Sequence, residues 1–340
     1  MPLEIIQASG NHYDIGYTVG RAARRQLHDA VNYYKSVLKE EGWTGPWTLP
    51  GDYLQAARDA FPHLVEEIEG LAAGAGLSFA ELFFLNSLEE ALDPAAPPAC
   101  TGIAMAAQGS ALLGHNEDWY YRDCRSVIVY RARPKDKPSF ITITAAPFLA
   151  AVGMNEAGIA QGVNSVSSTD NKPGIPRVLV SRAVLEAESI EQAVEMATPQ
   201  NRAGGYNHLL ASRDGRIGYL ETSARAHCYV PAEKLTYHTN HYLAPEMLRL
   251  EHGAGPGSLK RLERLNELAE GLARSSEPFQ AIAGSLRDHL YAPLSICRHP
   301  EDERAAAEGT IFSVIFNLRE LSAAVAIGNP CTNRYERCSL

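Results

Sequence analysis

Hydrophobic and polar positions follow two different rules along this chain. Up to about residue 92 the apolar residues recur at helical spacing. Ile15, Val19, Ala22, Ala23, Leu27 and Val31 mark one face of a helix predicted from Tyr13 to about Lys39, with Asn11 as its cap. A second helix is expected over Leu54–Ala73, interrupted by Pro62, and a third to about Leu92, with Ser78 and Glu81 as a capping box. Leu3–Gln7 reads as a short strand ahead of them. From Cys100 the pattern changes to short apolar runs separated by turn residues. Ile103–Ala107 and Ala111–His115 flank the turn Gln108-Gly109-Ser110. Val127–Arg131, Ser139–Ile143, Ala150–Met154 and Gly158–Gly162 follow as strands. Helices are expected over Val178–Ala187, Ile190–Ala197, Gly257–Ala273 and Pro278–Leu290. A hairpin over Leu209–Glu221 turns at Asp214-Gly215, and Thr310–Phe316 and Leu321–Ile327 close the chain. Hairpins alternating with helix pairs predict an α+β protein with antiparallel sheets covered by helices, not a parallel βαβ sheet.

Composition narrows the function classes. The chain has 340 residues, 45% of them hydrophobic, and a formal net charge of −9, so bulk charge favours neither nucleic acid nor an anionic membrane. No apolar run approaches the ~18 residues of a membrane span. The amino terminus lacks the basic and apolar regions of a signal peptide, and six cysteines are too few for a disulfide scaffold, although Cys331 and Cys338 could pair. The expectation is a cytoplasmic, reduced protein.

The candidate chemistry centres on Cys100. It stands at the first residue of a hairpin, directly after Asp93-Pro94-Ala95-Ala96-Pro97-Pro98, a stretch that can be neither helix nor central strand. Cleavage of the Ala99–Cys100 bond would put a thiol and a free α-amine on one residue, a nucleophile with its own base. The cluster His115-Asn116-Glu117-Asp118-Trp119 ends the same hairpin, so Asp118 is expected near Cys100 to orient the amine or hold an arginine. Asn240, in His238-Thr239-Asn240-His241, offers an amide donor for an oxyanion. Arg298, in Ser295-Ile296-Cys297-Arg298-His299, offers a cation for the thiolate, a substrate carboxylate or Asp118. Asn164 follows the turn Asn155-Glu156-Ala157-Gly158 at the far end of the next strand.

These segments, in this order, resemble the acyl-CoA:6-aminopenicillanic acid acyltransferase (isopenicillin N acyltransferase) family of N-terminal-nucleophile hydrolases. The likeness begins at Asn11–Gly20 and runs through Ala99-Cys100-Thr101, Gly114–Asp118, Val152–Gly158, His238–His241 and Pro293–Arg298 to Gly309–Phe312. It implies an αββα sandwich. Residues 1–99 would be a helical propeptide that stays attached as an α chain, and 100–340 the catalytic β chain. It implies Cys100 as the nucleophile freed by self-cleavage, Asp118 and Arg298 as its charged neighbours, and Asn240 as oxyanion donor. Asn164 matches an asparagine that lines the site in related bile-salt hydrolases and penicillin V acylases. Thr101 and Trp119 are expected in the substrate pocket. The implied substrate is a small N-acyl amide, with acyl-CoA as an alternative acyl donor, and no metal or organic cofactor is required.

Three features depart from the family pattern. Ala99 replaces a glycine before the nucleophile, and Gly102 stands where a second threonine is common. The chain ends Cys338-Ser339-Leu340, without the basic middle residue of the peroxisomal tripeptide found in fungal members. No nucleotide-binding loop for coenzyme A is evident, which favours hydrolysis over transfer. Two other classes compete. His238 and His241, with His227 and Cys228 nearby, suggest a metallohydrolase, although i and i+3 side chains on a strand point to opposite faces. The other is an uncleaved scaffold that only binds small molecules.

Overall fold

The computed structural model describes residues 3–48, 51–92, 99–304 and 306–340. The proline-rich approach Asp93–Pro98 lies outside the described residues. Strand β1 (Ile5–Gly10) leads into α1 (His12–Ala22) and α2 (Arg24–Glu40). Asn11 and Asp14 cap α1 reciprocally: Asp14 N–H donates to Asn11 Oδ1 at 2.8 Å and Asn11 N–H to Asp14 Oδ2 at 3.1 Å. The single helix expected over 13–39 is thus two, divided at Ala23. Helices α3 (Gly51–Ala60), α4 (Pro62–Ala75), α5 (Phe79–Leu85) and α6 (Leu88–Leu92) follow. Helix α1 lies against α4 at backbone contact. A Cβ on Gly16 would stand 2.0 Å from the Glu67 carbonyl, and one on Gly70 2.1 Å from that of Tyr13. Only glycine fits such a seam. The capping box expected at Ser78 does not form: the Ser78 side chain caps nothing, and Glu81 pairs with Lys35 at 2.7 Å instead.

After Cys100 the chain makes β2 (Cys100–Ala107), β3 (Ser110–Tyr120), β4 (Val127–Pro134), β5 (Phe140–Ala145), β6 (Val152–Asn155) and β7 (Ile159–Ser165). Next come α7 (Arg177–Val184), α8 (Ile190–Ala197), β8 (Tyr206–Ser212), β9 (Ile217–Thr222), β10 (His227–Ala232) and β11 (Leu235–His238). Helices α9 (Pro256–Arg274) and α10 (Pro278–Leu286) precede β12 (Glu308–Asn317), β13 (Ser322–Ile327) and β14 (Glu336–Ser339). Helix α10 stops four residues before the expected Leu290. Asn116 takes the carbonyls of Leu286 and Ile296, at 2.9 and 3.0 Å, and turns the chain there.

An eight-stranded sheet runs β1-β4-β5-β6-β7-β8-β9-β10, and a six-stranded sheet runs β11-β2-β3-β12-β13-β14. Their pairings are antiparallel except β1 with β4, which is parallel. The central strands are largely apolar on both faces because both faces are buried, whereas the edge strands β1, β10 and β14 carry exposed residues. In β4, Val127 and Val129 point between the sheets, whereas Ile128 and Tyr130 point toward the helices. Helices α1–α8 cover the larger sheet, and α9 and α10 cover the smaller one, where Leu265 and Ile282 pack on Ile103 and Ile315. The layers are α, β, β, α.

Residues 1–99 are not simply helical, because β1 forms an edge of the larger sheet. They also share buried ion pairs with the rest of the chain. Arg182 donates to both carboxylate oxygens of Glu67, at 3.1 and 2.8 Å, and pairs with Glu186. Burial alone would raise the Glu67 carboxyl, but Arg182 and His12 more than offset it and hold the group below its usual range. Among the described residues, no helix is long and apolar enough to cross a membrane.

Candidate active site

The β2–β3 turn sets the geometry. Gln108 and Gly109 both have positive φ, 53° and 73°, as a two-residue hairpin turn requires, and Ala107 pairs with Ser110 across it. Counting back along that register puts Cys100 directly opposite Glu117 and Thr101 opposite Asn116. Cys100, Gly102 and Ala104 therefore share the face between the sheets, and Thr101 and Ile103 share the face toward α9.

Cys100 is buried, with 2% of its surface exposed. Its backbone N–H donates to Asn240 Oδ1 at 2.8 Å, and its thiol donates to Glu117 Oε1 at 3.4 Å. The other Glu117 oxygen lies 2.9 Å from His115 Nε2. His115 fits because Gly162 faces it: a Cβ there would stand 2.9 Å from His115 Nδ1. Asn240 Nδ2 donates to the Ser165 carbonyl at 2.9 Å, and Asn240 N–H to Ser258 Oγ at 2.7 Å. Arg261 of α9, 2% exposed, donates to the Cys100 carbonyl, to Thr101 Oγ1 at 3.0 Å and to Asn240 Oδ1 at 2.9 Å.

Charge in this pocket is strongly perturbed. Burial pushes the Cys100 thiol well above its usual value, and Glu117 and Asp118 add to the shift. Asp118 is pushed up to about 7, again by burial first, against the opposing pull of Arg261 and a 2.6 Å hydrogen bond from Thr310 Oγ1. Its Oδ2 is buried without a hydrogen-bond partner. So is Asn164 Nδ2, whose neighbouring Oδ1 accepts from Asn207 at 2.9 Å.

A cleft of about 740 Å³, its open mouth included, runs to Cys100 between the sheets. Its walls are mostly apolar, including Trp119, Phe148, Val163 and Phe312, with Glu117, Glu89, Ser165 and Tyr206 as polar points. Leu85, Leu88 and Glu89 come from the segment before Cys100. Glu89 accepts from Ser165 and Tyr206 and pairs with Arg177 at 3.4 Å.

The structure brings Cys100, Asp118 and Asn240 together and places Trp119 in the cleft wall. Thr101 faces Arg261 rather than the cleft. Arg298 is not the arginine beside Cys100: its guanidinium pairs with Glu308 at 2.6 Å, and only its field reaches Asp118. Arg261 holds that place, unforeseen because Lys260-Arg261-Leu262-Glu263-Arg264 reads as an ordinary charged helix face. Glu117 and His115 belong to the His115–Trp119 cluster, and the two-residue turn is the sequence signal that sets Glu117 against Cys100. Burial pushes the Cys297 thiol up to about 12. Cys331 lies beside Cys297 rather than Cys338.

The His238/His241 pair does not converge. His238 Nε2 meets Glu221 at 2.8 Å and His241 Nδ1 meets Ser258 at 2.7 Å. Among the described residues, ligand atoms lie within 4.8 Å of one another in three groups: Cys100, His115 and Glu117; His12, His63 and Glu186; and His289, Cys297, His299 and Cys331. In the first, Glu117 bridges the thiol and the imidazole. In the second, Glu186 is already paired with Arg182.

The chain is 26% identical over 347 residues to the acyl-coenzyme A:6-aminopenicillanic-acid-acyltransferase 40 kDa form of Emericella nidulans, covering 96% of this chain and 92% of that protein. It is also 26% identical over 217 residues to the β-alanyl-dopamine/carcinine hydrolase of Drosophila melanogaster, covering 56% of this chain and 55% of that one. Among solved structures, a variant of the conjugated bile acid hydrolase from Clostridium perfringens is 13% identical with a TM-score of 0.47, covering 71% of this chain and 97% of that chain. The penicillin V acylase from Agrobacterium tumefaciens is 13% identical with a TM-score of 0.46, covering 67% and 82%. Residues 105–332 match the family described as acyl-coenzyme A:6-aminopenicillanic acid acyl-transferase, two thirds of the sequence, and the chain belongs to that family of acyl-transferring and amide-hydrolysing enzymes.

Proposed function

We propose that this enzyme cleaves its own Ala99–Cys100 bond and then hydrolyses a small N-acyl amide through a thioester on Cys100. One observation carries the reading: the backbone nitrogen that cleavage would free is held 2.8 Å from Asn240 Oδ1, on the same residue whose thiol opens to the apolar cleft. In the intact chain Glu117 takes the thiol proton and the sulfur attacks the Ala99 carbonyl. The acyl group shifts from nitrogen to sulfur, and water releases the Ala99 carboxylate and the Cys100 α-amine. Residues 1–99 stay in place through β1, the Glu67–Arg182 pair and the Glu89–Arg177 pair.

In the cleaved enzyme the α-amine, ordinarily of pKa about 7.7–8.0, takes the thiol proton near neutral pH. Asp118 Oδ2, buried and unpaired, is the acceptor for the resulting ammonium. The thiolate attacks the substrate amide carbon. The second N–H of Asn240 Nδ2 and the unpartnered Asn164 Nδ2 take the oxyanion, a donor of this kind being worth ~3–4 kcal/mol. The ammonium proton passes to the leaving amine, and water then attacks the thioester to release the acid. Trp119, Phe148 and Val163 suit an apolar acyl group. The name of the Drosophila relative favours hydrolysis and that of the Emericella relative favours acyl-CoA transfer, in which an amine replaces the final water.

Intact mass spectrometry is expected to show fragments 1–99 and 100–340, both lost in Cys100→Ala. A panel of N-acyl amines, assayed with and without acyl-CoA, identifies the acyl donor and acceptor. A wild-type chain that stays uncut and is fully active would refute the free N-terminal nucleophile.

A further inference from the structure

Helix α10 and the loops after it hold a second cluster with no part in the chemistry above. His289 follows the helix, Cys297 and His299 lie in the loop before β12, and Cys331 comes from the loop between β13 and β14. Their ligand atoms lie within 4.8 Å of one another. The Cys297 and Cys331 sulfurs are 3.6 Å apart, and the facing Nε2 atoms of His289 and His299 are 3.1 Å apart. His299 Nε2 stands 3.9 Å from Cys297 Sγ and 3.3 Å from Cys331 Sγ.

Four of the six ligand–ligand edges can be compared with those of a zinc tetrahedron. Zinc takes thiolate at ~2.3 Å and imidazole at ~2.0–2.1 Å, and a regular tetrahedron with those radii has edges of ~3.8 Å for S–S, ~3.6 Å for S–N and ~3.3 Å for N–N. The observed edges straddle those values. The sulfurs are also far beyond the ~2.05 Å of a disulfide bond. Asn329 Nδ2 lies 3.5 Å from Cys297 Sγ and donates to the Arg298 carbonyl at 2.7 Å, the outer support that metal-bound thiolates commonly have.

We propose that His289, Cys297, His299 and Cys331 form a structural zinc site. Each thiol releases its proton to solvent as the ion binds, so two thiolates balance the dication and two neutral imidazoles complete the tetrahedron. All four positions are filled by protein, which makes the site closed and structural rather than catalytic. It clamps the segment after α10 to the β13–β14 loop, two parts of the chain that carry little regular structure of their own. Arg298, between two of the ligands, donates its N–H to Thr310 Oγ1 at 2.9 Å, and Thr310 in turn holds Asp118. The clamp thus sits two hydrogen bonds from the active site.

Full-length protein, expressed with zinc and purified reduced without chelator, is expected to contain one zinc per chain by elemental analysis. Titrating Co²⁺ into the reduced, demetallated chain should produce the thiolate charge-transfer band and the d–d bands of a tetrahedral site. Cys331→Ser and His289→Ala should each weaken metal retention by more than ~10-fold, since even outer-shell changes cost that much. Wild-type protein without stoichiometric zinc and without those cobalt bands would overturn the assignment, as would a Cys297–Cys331 disulfide in the native protein. The cobalt titration uses the wild-type chain, so it decides the question even if the variants fail to fold.

Discussion

Replacing Asn240 separates its structural work from its chemical work, because two substitutions rank oppositely on the two scales. Asn240 Oδ1 accepts from Cys100 N–H and from Arg261, and Nδ2 donates to the Ser165 carbonyl. Asn240→Ala strips all three partners in a buried site. At ~1–3 kcal/mol for each orphaned group, the loss is at least ~3 kcal/mol. Asn240→Asp keeps the two bonds to Oδ1 and gains a charge beside Arg261, but it turns an acceptor toward the Ser165 carbonyl. Its loss should be only ~1–2 kcal/mol. Rates run the other way. Alanine merely removes an oxyanion donor, costing ~10²–10³-fold in kcat, whereas aspartate adds a negative charge where another develops. Stability should fall in the order wild type, Asp, Ala, and kcat in the order wild type, Ala, Asp, with KM little changed. Thermal melts read the first order. Single-turnover acylation, normalised to the cleaved fraction measured by intact mass, reads the second. An alanine variant with near wild-type acylation would remove Asn240 from the oxyanion site. An aspartate variant less stable than alanine would refute the hydrogen-bond assignment on which both orders rest.

Two further outcomes test the charges around the nucleophile. A thiol alkylator should inactivate the cleaved enzyme in step with labelling of Cys100, which lines the cleft and carries its own amine; an inactivating adduct mapped to Cys297 would contradict this. Asp118 keeps its proton in the folded chain up to about pH 7 while the unfolded chain loses it near 3.9, so its ionisation destabilises the fold progressively as pH rises between those values, by a total on the order of 4 kcal/mol. In the uncleaved Cys100→Ala background, adding Asp118→Asn should therefore leave stability nearly unchanged at pH 4 and raise it toward pH 8. Parallel stability–pH curves for the two proteins would refute the raised Asp118 value.

Much of the architecture was legible from local pattern. Helical spacing before residue 92 and short strands after Cys100 follow from 3.6- and 2-residue periodicity, and β12 and β13 lie where the apolar runs placed them. The nearness of Asp118 to Cys100 was equally legible, because a hairpin is local and its turn sets its register, whereas Asn240 reaches Cys100 from beyond β11. Tertiary structure alone decided which distant groups meet them. Arg261 and Arg298 each sit among charged or polar neighbours in sequence, yet one is buried against the Cys100 carbonyl and the other pairs with Glu308. Nothing local distinguishes them, since burial of a helix face depends on how α9 docks on the six-stranded sheet. The same holds for β1, whose parallel partner β4 is more than a hundred residues away, and for Cys331, which reaches Cys297 only because two loops distant in sequence meet. Periodicity records which face of an element is apolar; it carries no information about which other element covers that face, and the charged half of this site is set by that choice.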